Sequence, residues 1–260
     1  MDRDGQGRIT RLTTAGRARL QDSKGGKLQP GYLGDAEGLA IDGQGRMFVS
    51  FEGLDRIAMF DDPDQPATRI AGAEGFKALS RNLGLESLAI TPTGDLLTIP
   101  EAWATGDAGF PVWRLRDGIW TNPFDVPRDG DWAPVGADVG PDGMLYLLER
   151  DFRGLRGFAS RVRRFAITDT AAGPPEVLIV SSLMQFDNLE GIAVWADGQG
   201  IRLTMISDDN FLFLQRTELV EYRIRRAATG APAATTTAGA GTVPAAPAPV
   251  ALMADPPAAP

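Results

Sequence analysis

Four stretches of this chain open alike at a nearly even pitch. They are Asp35-Ala36-Glu37-Gly38-Leu39-Ala40-Ile41, Gly84-Leu85-Glu86-Ser87-Leu88-Ala89-Ile90, Val135-Gly136-Ala137-Asp138-Val139 and Asn188-Leu189-Glu190-Gly191-Ile192-Ala193-Val194. Their acids Glu37, Glu86, Asp138 and Glu190 lie 49, 52 and 52 residues apart. A repeat of this length implies an array of like supersecondary units, each burying its apolar face against the next. Because each unit opens on a carboxylate, a circular array gathers those carboxylates at one place.

Inside each unit the pattern is that of strands. In the first, Leu39-Ala40-Ile41 is followed by the turn Asp42-Gly43-Gln44-Gly45 and by Arg46-Met47-Phe48-Val49-Ser50. Asp-Gly between apolar runs is a hairpin signal, and Asp142 and Asp197 read as turn formers of the same kind. Two more short runs complete the unit. Four strands per 50 or so residues is the arithmetic of a propeller blade, so the fold class expected is all-β, a β-propeller of four-stranded antiparallel blades. An antiparallel sandwich is the rival, but it needs no such repeat. Three units are complete and the fourth lacks a last strand. Arg8–Leu12 and Arg17–Leu20 supply two strands of a further blade, so the propeller reads as N-terminally incomplete. Residues 1–226 form the propeller domain, and 227–260, rich in Ala, Pro and Thr, read as a disordered tail. Glu74 to Leu83 allows one or two helical turns, and Trp103, Trp113, Trp120, Trp132 and Trp195 read as packing between blades.

Of the 260 residues none is Cys or His. That excludes Ser-His-Asp and Cys-His nucleophiles, Cys/His zinc sites and disulfides. Carboxylates, arginines, hydroxyls and a hard cation remain. A net charge of −8 disfavours nucleic acid and anionic membranes, and no apolar run is long enough for a membrane-spanning helix. In a blade the innermost strand begins, and the second strand ends, on one face of the disc. The repeat-opening acids therefore meet a second set there: Glu52, Glu101, Glu149 with Arg150, and Asp208-Asp209-Asn210. Converging carboxylates repel unless they share protons or a cation. Oxygen-only donors point to Ca²⁺, with Mg²⁺ second. Glu37, Glu86, Asp138, Glu190, Asp208, Asp209 and Asn210 are the candidate ligands. Glu190, Glu149 and Arg150 are candidate catalytic groups, and Glu52, Glu101, Arg161 and Arg216 candidate substrate contacts. Capping of strand ends is the alternative role for the repeat acids. Asp2-Arg3-Asp4-Gly5-Gln6-Gly7 opens like a calcium loop, but its twelfth position is Thr13 where a Glu is required.

Five of these motifs occur in order: Asp35–Ala40, Val135–Gly143, Leu147–Arg150, Asn188–Ala193 and Ser207–Asn210. Together they resemble the phytase-like, "esterase-like activity of phytase" family of bacterial proteins, over about residues 8–226. The resemblance implies a propeller, export to the periplasm or cell surface, and an esterase or phosphoesterase; a small-molecule ester or phosphoester is the expected partner, and the expected state is a monomer. The family's usual signal peptide and its early Gly-Gly-Leu-Ser-Gly-Leu and Ser-Asp-Arg-Gly segments are not found in this sequence. Two functions stay open: metal-assisted hydrolysis of a carboxylic or phosphate ester, with a lactone as a variant, or a non-catalytic propeller that binds a ligand or protein on the same face.

Overall fold

The computed structural model describes residues 1–31, 33–52, 56–79, 84–103, 109–224 and 252–254. A hairpin of β1 (Asp2–Arg3) and β2 (Ile9–Arg11) comes first. Blade one follows, with β3 (Ala36–Ile41), β4 (Met47–Phe51), β5 (Arg56–Phe60) and β6 (Thr68–Arg69). Blade two is β7 (Ser87–Ile90), β8 (Leu96–Ile99), β9 (Phe110–Arg116) and β10 (Ile119–Val126). Blade three is β11 (Ala133–Val139), β12 (Leu145–Phe152), β13 (Phe158–Phe165) and β14 (Glu176–Val180). Blade four is β15 (Leu189–Ala196), β16 (Ile201–Ser207), β17 (Leu219–Ile224) and β18 (Leu252–Ala254). All neighbouring strands are antiparallel, so the chain is a four-bladed propeller. The fourth blade receives its outer strand from 252–254, inside the segment expected to be disordered, because β17 offers a free edge there. The rest of that tail lies outside the described residues. Glu74–Ala78 forms a single 3₁₀ turn.

The blades are held by the apolar layers between them. Ala40, Leu88 and Trp113 pack between blades one and two. Ala89, Leu97, Leu145 and Leu147 fill the space between two and three. Tyr146, Leu148, Leu203 and Met205 fill that between three and four. Of the tryptophans, Trp103, Trp113 and Trp120 belong to the layer between blades one and two, where Trp113 and Trp120 each meet Phe76 edge-on at 5.1 Å, whereas Trp132 lies under Arg161 and Trp195 under Arg3.

At the centre, the inner strands β3, β7, β11 and β15 abut in that order. The glycine that follows the repeat-opening position makes this possible. A Cβ on Gly38 would stand 2.7 Å from the Glu86 carbonyl oxygen, and one on Gly136 2.4 Å from that of Glu190. Each glycine thus lies against the backbone of the next acid in the ring.

Residues 1–31 bridge blades four and one. The β1–β2 turn, Asp4-Gly5-Gln6-Gly7-Arg8, repeats the sequence of Asp42–Arg46 and its hydrogen bonds. In both, Asp Oδ1 accepts from the Gln and Arg N–H groups and Oδ2 from the Arg Nε. The resemblance to a calcium loop is therefore that of a blade turn. Arg3 forks onto Glu221, and Arg202 donates to the Gly7 carbonyl, seating the hairpin on blade four. Further on, Leu20 and Leu28 cover Val49, Phe51, Ala58 and Phe60 of blade one. Arg17–Leu20, read as a strand, is irregular, since its leucine serves as a plug instead of a ladder.

Gly136→Ala should force β11 away from β15 at the point of closest approach. Overpacking of this kind costs about 1–3 kcal/mol, and urea denaturation should show a loss in that range. A solvent-facing turn glycine such as Gly43, with open space around it, provides the comparison and should stay within about 0.5 kcal/mol.

Candidate active site

Strand register shows which positions correspond. Ser87 pairs with Ile99, Gly136 with Leu148 and Gly191 with Ile206, while the Gly38 N–H donates to Ser50 Oγ. One residue before each of these stands Glu37, Glu86, Val135 or Glu190. Two residues after each partner stands Glu52, Glu101, Arg150 or Asp208. Blade three thus lacks both acids: an apolar residue takes one place and an arginine the other. Glu37 and Glu190 sit at β-bulges of their inner strands, where an extra residue re-aims the side chain.

All of these groups except Val135 line an open cavity of about 640 Å³ on one face, with Asp35, Asn188 and Asn210 beside them and Phe152 and Phe158 along one wall. Arg150 stands among the acids. Its Nη1 donates to Asn188 Oδ1 at 2.7 Å and Glu190 Oε1 at 2.5 Å, and its Nη2 to Glu101 Oε1 at 2.6 Å. Asn188 Nδ2 also donates to Glu190 Oε1, at 2.6 Å. Burial and the Glu101 carboxylate hold Glu86 well above the usual carboxylate range, and the two share a hydrogen bond. Burial also raises Glu190, with Arg150 pulling the other way. Desolvation opposes the charge of Arg150, but Glu86, Glu101 and Glu190 outweigh it and raise its pKa. The guanidinium therefore stays charged.

In blade one, Asp35, Glu37 and Glu52 each place an oxygen within 4.8 Å of the others. The Glu52 N–H donates to the Asp35 carbonyl at 3.1 Å, tying the end of β4 to the start of β3. Three carboxylates at this spacing suit a hard cation, which takes oxygens at about 2.3–2.6 Å in flexible numbers. Asp35 was not among the sequence candidates. Its place two residues before Glu37 was the available clue, as was that of Asn188 two before Glu190, because alternate residues share a side of an extended chain.

Several candidates go elsewhere. Asp138 lines a deeper groove, and both its oxygens accept backbone N–H groups, from Val139 at 2.8 Å and Val194 at 2.6 Å. It ties β11 to β15, and burial pushes it up to about 6. The residue corresponding to Glu37 is Val135, in the core between blades three and four. Glu149 alternates with Arg150 along β12 and points to the opposite side of the sheet. It is fully buried, accepting from Arg161 Nε at 2.8 Å and from Arg163 Nε and Nη2 at 2.7 and 2.5 Å. Arg161 also pairs with Asp129 and lies over the Trp132 ring. Both strand arginines thus belong to a buried ion cluster. Asp209 is taken up by the Phe211 N–H and the Thr217 hydroxyl, and Arg216 pairs with Glu218 at the exposed rim. Between them Phe211 and Phe213 stand fully exposed, with Leu212 and Leu214 beside them.

A family description reading "Phytase-like: Esterase-like activity of phytase" matches residues 1–211. The chain belongs to this phytase-like family. No curated protein matches it significantly. Among solved structures, a putative gluconolactonase shares 21% identity at a TM-score of 0.45, over 70% of this chain and 60% of its own. A GH43_12 protein retrieved from a capybara gut metagenome shares 11% at a TM-score of 0.50, over 72% of this chain and 38% of its own. A gluconolactonase of Xanthomonas campestris shares 17% at 0.39, over 69% and 58%. At such identities the likeness concerns the fold alone, and the chain spans about 60% of the first of these structures. The matched range includes Glu37, Glu86, Glu101, Arg150, Glu190 and Asp208 of the cavity.

Two outcomes test this geometry. Glu149→Ala should cost about 3–5 kcal/mol in denaturant unfolding, because it leaves the buried Arg163 guanidinium without its carboxylate and Arg161 with Asp129 alone. For Glu37, burial and the charges of Asp35, Glu190, Glu52 and Asp208 raise the pKa to about 7. Folded protein then holds this proton more tightly than unfolded chain, so stability falls as pH rises from the ordinary carboxylate range through about 7. Glu37→Gln is neutral throughout. In chelator-treated protein its melting temperature should match wild type near pH 4, below the ordinary glutamate value. Near pH 8.5 it should exceed wild type by roughly 2–4 °C, allowing for the solvent that still reaches the group.

Proposed function

We propose that this phytase-like propeller is a hydrolase of small carboxylic or phosphate esters. The observation that carries the reading is the division of the acidic face into two parts. Asp35, Glu37 and Glu52 form a cation-sized corner, while Glu190, Asn188 and Glu101 hold Arg150 at the centre. Asp35, Glu37 and Glu52 would hold Ca²⁺, with Mg²⁺ the second choice, and a bound cation supplies charge stabilisation to an ester or phosphoryl oxygen. Arg150, kept in place by three acceptors and lining the cavity, attracts the anionic end of the substrate with its fixed positive charge. Glu190 has a raised pKa and lies on the same cavity, so it is placed to take a proton from the attacking water. Water adds to the carbonyl or phosphoryl centre, the ester C–O or P–O bond breaks, and an acid and an alcohol leave.

A second reading, a non-catalytic binding propeller, is favoured by one feature. The fully exposed Phe211 and Phe213 at the rim of the site would suit a partner.

Calcium and substrate panels separate the two. Saturating Ca²⁺, about a hundredfold over Kd, is worth about 2.7 kcal/mol and should raise the melting temperature by roughly 5–10 °C. Glu37→Gln should remove that rise. Glu190→Gln should keep the calcium shift but lower kcat on aryl esters or aryl phosphates by about 10²-fold or more. Absence of both a calcium shift and turnover on either panel leaves the binding reading.

A further inference from the structure

Below the acidic face lies a second cavity, of about 690 Å³, between β3 of blade one and β15–β16 of blade four. Its walls are Leu39, Ile41, Ile192, Met205, Ile206 and Leu219. Leu39, Ile41 and Ile206 are 57%, 55% and 45% exposed, although all three lie on regular strands near the propeller axis. Large aliphatic side chains left open inside a concavity favour an apolar ligand over water. The groove is also continuous with the polar site. Glu37, Glu86, Glu190 and Asp208 line both cavities and form the boundary between them. Asp138 also lines this groove, deeper down, but both its oxygens are taken up by the Val139 and Val194 N–H groups. The other four carboxylates thus stand at one end and hydrocarbon lies beyond them, within a volume suited to a single small molecule.

From this continuity we infer that the substrate is amphiphilic: its ester group lies at Arg150 and Glu190, and an aliphatic tail runs down the groove between β3 and β16. The inference rests on the hydrolase reading for the role of the head group, but tail binding can be measured without turnover. The segregation of charge argues for this occupant. A tail attached to a polar head satisfies both ends at once, whereas a purely apolar partner would leave the four carboxylates at its upper end without solvent.

The test uses the intact chain and a neutral apolar fluorophore, N-phenyl-1-naphthylamine, displaced by primary alcohols of increasing length. The fluorophore should bind saturably at one site. Alcohol affinity should rise about fourfold for each added methylene, the value of burying it. Leu39→Glu combined with Ile206→Glu places charge in the groove and should weaken binding at least tenfold. Leu39→Trp, which fills the groove without charge, should give a comparable loss if the charged variant does not fold. Phe213→Ser, on the exposed rim, should leave alcohol binding unchanged.

Non-saturable binding, binding indifferent to the groove substitutions, or binding lost with Phe213→Ser would overturn the inference. So would a concentration-dependent dimer in sedimentation that the Leu39 and Ile206 substitutions abolish, because the groove would then be a face for a second copy. Turnover of short esters without alcohol binding removes the groove and keeps the hydrolase. Alcohol binding without turnover of any ester keeps an alkyl-binding groove and removes the hydrolase, and with it the ester head.

Discussion

The close approach of the inner strands is the constraint on which the rest of this molecule depends. Gly38 lies against the Glu86 carbonyl and Gly136 against that of Glu190, so the starts of the inner strands crowd around one axis. Each of those starts, except in blade three, carries a glutamate. The backbone geometry that closes the apolar layers between blades is therefore the same geometry that forces carboxylates together. Folding and site formation are one event here, and the electrostatic cost of the site is sustained by the hydrophobic layers beneath it.

Blade three relieves that cost. Where the register would place two more acids it has Val135 and Arg150. The valine adds to the core between blades three and four, and the arginine meets Glu101 and Glu190 directly and lies within the field of Glu86. A ring with acids at every position would have to hold most of them protonated or gather several cations. One arginine instead divides the face: a side at blades two to four where Arg150 answers the carboxylates, and an acidic corner at blade one. That asymmetry gives a symmetric scaffold a direction, with an anion-seeking group and a cation-seeking group side by side.

Most of the architecture was legible in the sequence because the period of about 50 residues and the Asp-Gly turns are local signals. The site was legible only in part, and each departure from the expected placement has a physical cause. Asp138 looks like the opening acid of the third repeat, but register counts from Gly136, which makes Val135 the corresponding residue and places Asp138 three residues deeper among backbone N–H groups. Glu149 and Arg150 are neighbours in sequence, yet the two-residue period of a strand sends them to opposite sides of the sheet. Parity along β12, anchored on Leu145 and Leu147 packing toward blade two and Tyr146 and Leu148 toward blade four, separates them. Asp35 and Asn188 escaped notice because neither is the repeated acid. Each reaches the site only as the alternate neighbour of one.

The N-terminal segment follows from the same economy of parts. A sheet face at either end of a blade series needs a cover, and the two ends here have different chemistry. On blade four the open side presents Arg202, Thr204 and Glu221 along β16 and β17, and it receives a polar hairpin whose Arg3 and Gly7 carbonyl answer those charges. On blade one the open side presents Val49, Phe51 and Phe60, and it receives Leu20 and Leu28. One 31-residue stretch thus changes from polar to apolar as it crosses from the last blade to the first. Nearer the axis neither cover reaches Leu39, Ile41 or Ile206, which leaves the groove open directly beneath the carboxylates. A groove at that position inherits its polarity gradient from the strands themselves, because successive residues of β3 alternate between the layer shared with blade two and the open side. Ala40 goes to the layer and Leu39 and Ile41 to the groove.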